Sequence, residues 1–204
     1  TPVPPCLHSN HQHSRKEPHM SDTARIDTFI ATLREASKTE PPYNYDHGSP
    51  TDKLITLTGN VNDLCWELAA ATKLTAPSYK IIAADGIKHN ATNIIAICIA
   101  ELKNLGHTTE GAIELIATDS ALWFWSLDQH PLNKLDRNIN PADRIQSLNV
   151  AAGQVTEWWP TKISPLTNID RNDEIERTFT NLAYEAACAT IAHNHTTETE
   201  THND

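Results

Sequence analysis

The chain has 204 residues and a formal net charge of −10, and 39% of its residues are hydrophobic. This length is enough for one ordinary domain with its own apolar core. The acidic balance repels phosphate backbones unless a basic patch overrides it, and the sequence has no such patch. The longest apolar run, Ile94 to Ala100, is far shorter than the ~20 residues that span a bilayer. We therefore expect a protein that binds neither nucleic acid nor membrane.

Residues 1–19 are predicted to be an upstream extension outside the fold. The codons AGG-AAG-GAG for Arg15-Lys16-Glu17 would form a purine-rich ribosome-binding site just before the only methionine, Met20. The expected start is therefore Met20, and removing the extension takes the formal charge from −10 to −11, since it carries two basic residues and one acidic residue. A disordered N-terminal arm is the alternative interpretation.

The cysteines indicate a reducing compartment. Cys6 lies in the extension, whereas Cys65, Cys98 and Cys188 each lie within an apolar helical pattern and have no metal-site spacing. Three buried thiols are typical of a cytoplasmic protein.

The first two predicted helices have clear start signals. The first runs from Asp22 to Ser37 with Ser21 as its N-cap. After a loop, Ser49-Pro50-Thr51-Asp52 combines a capping hydroxyl, a proline at the first helical position and an acid in the first turn, so it predicts a second helix that reaches Thr72.

Residues 54–58 have the β-branched content of a strand, so two interpretations compete there. Helical spacing of five apolar residues favours a helix: Leu54, Leu57, Val61, Leu64 and Leu68. Gly59 inside this helix predicts either a kink or a close helix contact.

Helical structure is predicted to resume at Pro77 and to break or bend at Gly86. The segment from Ile87 to Leu105 is apolar nearly all round, which predicts the central, most buried helix. Gly106 is predicted to end it in a left-handed conformation.

Three further helices are predicted in the C-terminal half. They run from the Thr108 cap to Pro131, from Asn140-Pro141 to Pro160, and from about Asp170 to Ile191. Residues 194–204 have no apolar side chain and are predicted to be a disordered tail.

The fold class expected from these patterns is all-α, with about six helices packed as a bundle around the central helix 87–105. Residues 20–193 are expected to form a single domain. The alternative is a division at the long loop from Asp128 to Ile139, with the two helices after it paired as a separate hairpin.

The acidic pair that we single out is Asp63 and Glu67, which stand four residues apart on the second helix. Two carboxylates so spaced can share a hard cation such as Mg²⁺, and a solvated acidic face is the plain alternative. Glycine-rich phosphate loops, GxSxG and HExxH are absent from the sequence. The histidines are scattered, and His193 and His195 lie at a helix end where solvation is the simpler interpretation.

The segments 61–69 (Val61-Asn62-Asp63-Leu64-Cys65-Trp66-Glu67-Leu68-Ala69) and 87–97 (Ile87-Lys88-His89-Asn90-Ala91-Thr92-Asn93-Ile94-Ile95-Ala96-Ile97) resemble the helix pair of MazG-like all-α nucleoside triphosphate pyrophosphohydrolases. The resemblance covers about residues 50–127. In that family an acidic ExxE helix precedes an ExxD helix, and four carboxylates hold Mg²⁺ and the substrate diphosphate. This chain has DxxxE in the first helix, and it has His89, Asn90 and Asn93 where the second helix would carry acids.

The resemblance implies hydrolysis of nucleoside triphosphates to monophosphates and pyrophosphate by a dimer or higher oligomer, or binding of nucleotide and Mg²⁺ by a degenerate relative. The implied catalytic residues are Glu67 and Asp63, and Asp85 would complete the metal site. Three side chains on the following helix would meet the substrate phosphates: Lys80, Lys88 and His89.

The second hypothesis is a non-catalytic helical interaction protein from a phage or mobile element. Its predicted contact residues are tryptophans, which are common interface anchors: Trp123, Trp125, Trp158 and Trp159. The two hypotheses differ in geometry. Carboxylates that converge in a concave site favour the enzyme, whereas carboxylates spread over a convex surface with exposed tryptophan favour the interaction protein.

Overall fold

A computed structural model describes the backbone of residues 22–42, 45, 47–125, 141–158 and 172–201, and the side chains of 26–42, 45, 47–118, 141–157 and 172–191. Within these ranges the chain forms helices and no strand, which confirms the predicted all-α bundle. The six helices are α1 (Asp22–Ala36), α2 (Pro50–Lys73), α3 (Pro77–Asn104), α4 (Thr109–Trp125), α5 (Pro141–Trp158) and α6 (Asn172–Thr201).

The helix ends follow the local signals in the sequence. Ser49 and Asp52 form a reciprocal capping box at the start of α2, and the Thr108 hydroxyl accepts a hydrogen bond from the Gly111 amide at the start of α4. After α3, Gly106 has φ +108°, and the amides of Gly106 and His107 donate to the Lys103 and Leu102 carbonyls. These two bonds are those of a Schellman motif, so the left-handed position of Gly106 is confirmed.

Residues 54–58 are helical, as their apolar spacing predicts. The buried side of α2 consists of four residues of the predicted stripe: Leu57, Val61, Leu64 and Leu68. Of the two expectations at Gly59, the close helix contact is wrong, because a Cβ built there would meet no atom within 4 Å. The helix is continuous through this position.

Gly86 does not break the helix, because α3 runs without interruption from Pro77 to Asn104. Gly86, and not Gly59, is the glycine at a close contact between helices, since a Cβ there would collide with Glu67 of α2. Burial is densest between Ile94 and Ile99, where every side chain is buried. The predicted central segment is therefore the inner part of a longer helix.

The core of the bundle is shared between α3 and α6, which make the most extensive helix contact within the described residues. α6 also packs against α1, α4 and α5, and every residue from Leu182 to Ile191 is buried. Since α6 packs against α3 as well as α5, the last two helices are part of the same bundle.

The α6 helix continues beyond the end of its apolar pattern to Thr201. It includes residues 194–201, for which the polar composition predicted disorder. The physical reason is that adding residues to an existing helix is much easier than nucleating one. Residues 1–19 and the loop 126–140 lie outside the described residues.

No helix within the described residues combines the length and the apolar character needed to cross a membrane.

Two buried ionic groups tie helices together. Glu101 is 7% exposed; it accepts a 2.6 Å hydrogen bond from the Tyr45 hydroxyl, and its carboxylate lies 3.9 Å from Lys53 Nζ. Arg144 of α5 and Glu185 of α6 form a second buried pair at 3.9 Å. Breaking either group would leave a buried charge with fewer partners, so both fix the helices that they join.

Candidate functional site on the α2 and α3 helices

Three contacts define how α2 and α3 pack against each other. Lys53 lies near Glu101, Asn60 contacts Asn93, and Glu67 lies against Gly86. Residue numbers rise along α2 while they fall along α3, so the two helices are antiparallel. The contacts recur every seven or eight residues, which is two turns of each helix.

Four polar side chains follow the line where these helices meet, and Gly86 lies among them. We call this set the polar seam: Asn60, Glu67, Gly86, His89 and Asn93. The Asn93 amide donates to Asn60 Oδ1 at 3.0 Å and lies 3.2 Å from His89 Nε2. The Asn60 amide in turn donates to the Thr56 carbonyl at 2.8 Å. The amides are therefore bonded within the helix pair.

Glu67 is the predicted carboxylate that lies against the opposite helix. A Cβ at Gly86 would lie 2.7 Å from Glu67 Cδ and 2.9 Å from Glu67 Oε1. Glycine at this position thus leaves room for the half-buried glutamate. Asp63 and Asp85 are both exposed.

The three predicted phosphate-binding residues do not share one side of α3. His89 belongs to the polar seam through Asn93. Lys88 lies about 200° around the helix from Gly86 and is exposed. The pKa of Glu35 on α1 is lowered by a hydrogen bond from Lys38 and, to a smaller extent, by the charge of Lys88. Lys80, six residues before Gly86, is also on another side of the helix.

The residues of the seam do not suit Mg²⁺, which the resemblance implies. Mg²⁺ prefers carboxylate and water oxygens in near-octahedral geometry, whereas the α3 side of the seam offers His89 and Asn93. Among the described residues, no group of three histidine, cysteine, aspartate or glutamate side chains is placed to hold a metal ion. The seam is therefore assigned no Mg²⁺ chemistry.

A groove of about 420 Å³ lies along α1 and includes none of the predicted site residues. Its lining residues are Asp27, Ile30, Ala31, Arg34, Glu35 and Lys38.

A second candidate site lies on the side of α2 that faces away from the core, and we did not predict it. Trp66 is 77% exposed and Ile55 is 64% exposed. Together with Gly59 and Asn62 they follow spacings of four, three and four residues, which places them on one side of the helix. The same spacing argument that found the buried stripe shows this opposite stripe in the sequence. The predicted contact residues Trp123, Trp125, Trp158 and Trp159 have side chains outside the described set.

Comparisons with protein-family models, with curated proteins and with solved structures give no match to this chain.

Proposed function

We propose that this chain is a non-catalytic helical interaction protein that binds through the exposed side of α2. The observation that carries the proposal is the exposure of Trp66, at 77%, on the same side as Ile55. Tryptophan is strongly enriched among the residues that dominate binding energy in interfaces. Large apolar side chains that line one helix face in water favour a binding surface, because covering them removes apolar area from solvent.

The polar seam supports the proposal because its amides bind one another. The hydrogen bond between Asn93 and Asn60 joins α3 to α2 along the line where the resemblance implies acidic ligands. A hydrogen-bonded pair of amides at a helix contact holds the two helices in one register. In an interaction protein, this seam keeps α2 rigid and its exposed side preorganised for binding.

We also place the protein in the cytoplasm. Cys65, Cys98 and Cys188 are free thiols, and reducing compartments keep thiols in that state. The phage or mobile-element origin belongs to the same proposal and rests on the sequence alone.

Pyrophosphohydrolysis of nucleoside triphosphates is the second candidate function. One observation favours it: Glu67, one of the three proposed metal ligands, lies against Gly86 of α3, the residue that follows the second proposed ligand, Asp85. Asp63, one turn before Glu67, would be the third. In this candidate function His89 is the seam residue available to a substrate phosphate.

A screen for pyrophosphate release separates the two functions. The full chain and its Glu67→Gln and Glu114→Gln variants are incubated with each nucleoside triphosphate, with and without Mg²⁺. Glu114 is an exposed acid on α4 and serves as the matched control. We expect no release above the protein-free background from any of the three. Release that Glu67→Gln abolishes and Glu114→Gln preserves would contradict the interaction proposal and establish the pyrophosphohydrolase.

A further inference from the structure

We infer that the partner is a second copy of this chain, bound antiparallel along the outer face of α2. We define that face as Asp52, Ile55, Gly59, Asn62, Trp66, Ala70 and Lys73. The inference rests on the proposed function, since it names the partner for the same surface. All seven residues are exposed or half-buried in the single chain, and they lie on the side opposite the buried stripe of α2.

The outer face is complementary to itself when two copies run in opposite directions. If a two-fold axis passes between Asn62 and Asp63, residues equally distant from that point face each other across the interface. Trp66 then lies over Gly59 of the second copy, and Ile55 lies over Ala70. Asp52 faces Lys73 at each end. Large side chains thus meet small ones and acids meet bases, as in antiparallel helix packing.

Gly59 supports this arrangement, because no contact within the single chain requires a glycine at that position. A glycine in a helix interior costs up to about 1 kcal/mol against alanine. A Cβ on Gly59 would meet nothing within 4 Å, whereas a Cβ on Gly86 would collide with Glu67. In the pair of copies, the missing side chain at Gly59 is the space that receives Trp66.

Two features limit the strength of this dimer. The outer face has seven residues in each copy, fewer than the roughly 20–30 residues that each partner contributes to a standard interface. The same register also brings the two Asp63 carboxylates together at one rim of the interface, where like charges repel. The dimer is therefore weak and reversible, and it tightens when that repulsion is removed.

Sedimentation velocity of the full chain tests self-association over about 1 µM to 1 mM, a range suited to a weak interface. We expect a concentration-dependent shift from monomer to dimer. Trp66→Ala should weaken the dimer at least about tenfold in Kd, since a central tryptophan is a typical anchor. Tyr79→Ala is the matched control, because Tyr79 is an aromatic residue on α3 that is 57% exposed and lies outside the outer face. A chain that stays monomeric up to 1 mM contradicts the inference, and so does a dimer that Trp66→Ala leaves unchanged.

Three further variants test the register. Gly59→Leu should abolish the dimer while the monomer stays folded by circular dichroism, because the added side chain occupies the space for Trp66. Lys73→Glu should weaken the dimer, because it places two acids opposite each other at both ends. Asp63→Asn should tighten the dimer, and Asp85→Asn, which changes the net charge equally, should not. Equal effects of Asp63→Asn and Asp85→Asn overturn the proposed register.

The two proposals fail separately. Pyrophosphate release that depends on Glu67 would overturn the interaction function whatever the sedimentation result. A monomer that releases no pyrophosphate would overturn only the choice of a second copy as the partner.

Discussion

At the scale of single residues, the side chain of Glu67 lies against Gly86 where α2 and α3 meet. The distances of 2.7 and 2.8 Å from a built Cβ to Glu67 Cδ and Cγ are below any ordinary carbon contact. Alanine at this position would displace the half-buried glutamate. Gly59 of α2 has open space around the position of a Cβ. It therefore serves as the control for substitutions at Gly86.

We predict that Gly86→Ala gives almost no gain in stability in the natural chain but a gain of up to about 1 kcal/mol when Glu67 is also changed to alanine. Helix propensity favours alanine in both backgrounds, and only the intact Glu67 side chain opposes it. Urea denaturation of the four proteins of this double-mutant cycle measures the coupling. Gly59→Ala, measured at low protein concentration, should give the full gain with or without Glu67. An equal gain from Gly86→Ala in both backgrounds would show that Glu67 does not restrict this position.

At the scale of elements, helix boundaries depend on a few local groups. The Ser49 and Asp52 capping box starts α2, and the Schellman bonds around Gly106 end α3. The pKa of Asp52 is lowered by its hydrogen bonds from the Ser49 side chain and backbone. The carboxylate form of the cap is therefore favoured in the folded chain and is lost as the pH falls through this lowered pKa.

Gly106→Ala should destabilise the protein by about 1–3 kcal/mol, since φ +108° is a conformation that alanine rarely adopts. Thermal unfolding followed by circular dichroism measures the change. Gly59→Ala is again the comparison, because it is a glycine-to-alanine change with the opposite expected sign. A neutral Gly106→Ala variant would mean that the turn after α3 adjusts without strain.

At the scale of the whole molecule, α3 and α6 form one shared core. Cys98 of α3 and Cys188 of α6 are both fully buried, whereas Cys65 of α2 is only partly buried. Burial raises the pKa of the Cys98 thiol, and the nearby charge of Glu101 adds to this effect. Burial also raises the pKa of Cys65. Since the thiolate is the reactive form, all these thiols should be slow to alkylate in the folded protein.

We predict that iodoacetamide modifies Cys65 before the other two, and that Cys98 and Cys188 become reactive together at a single urea concentration. The reason is that α3 and α6 bury each other, so neither is exposed without the other. Peptide mass spectrometry across a urea series gives the labelling midpoint of each cysteine. Separate midpoints for Cys98 and Cys188 would show that the bundle unfolds in parts.

The amino-acid sequence by itself determined the helical class, the helix boundaries near Ser49, Gly106 and Thr108, and the buried stripe of α2. These features depend on interactions within a few residues along the chain, so they can be derived from spacing and capping groups. The sequence also contained the stripe of Ile55 and Trp66, but spacing alone does not say whether another helix covers a given side.

Only the tertiary structure decided which helix faces are covered and which side chains meet. It placed Gly86 against Glu67 and left the outer face of α2 exposed. These outcomes follow from the rotation of each helix about its axis and from its neighbours in the bundle. Both are fixed by packing between residues that are far apart in the chain.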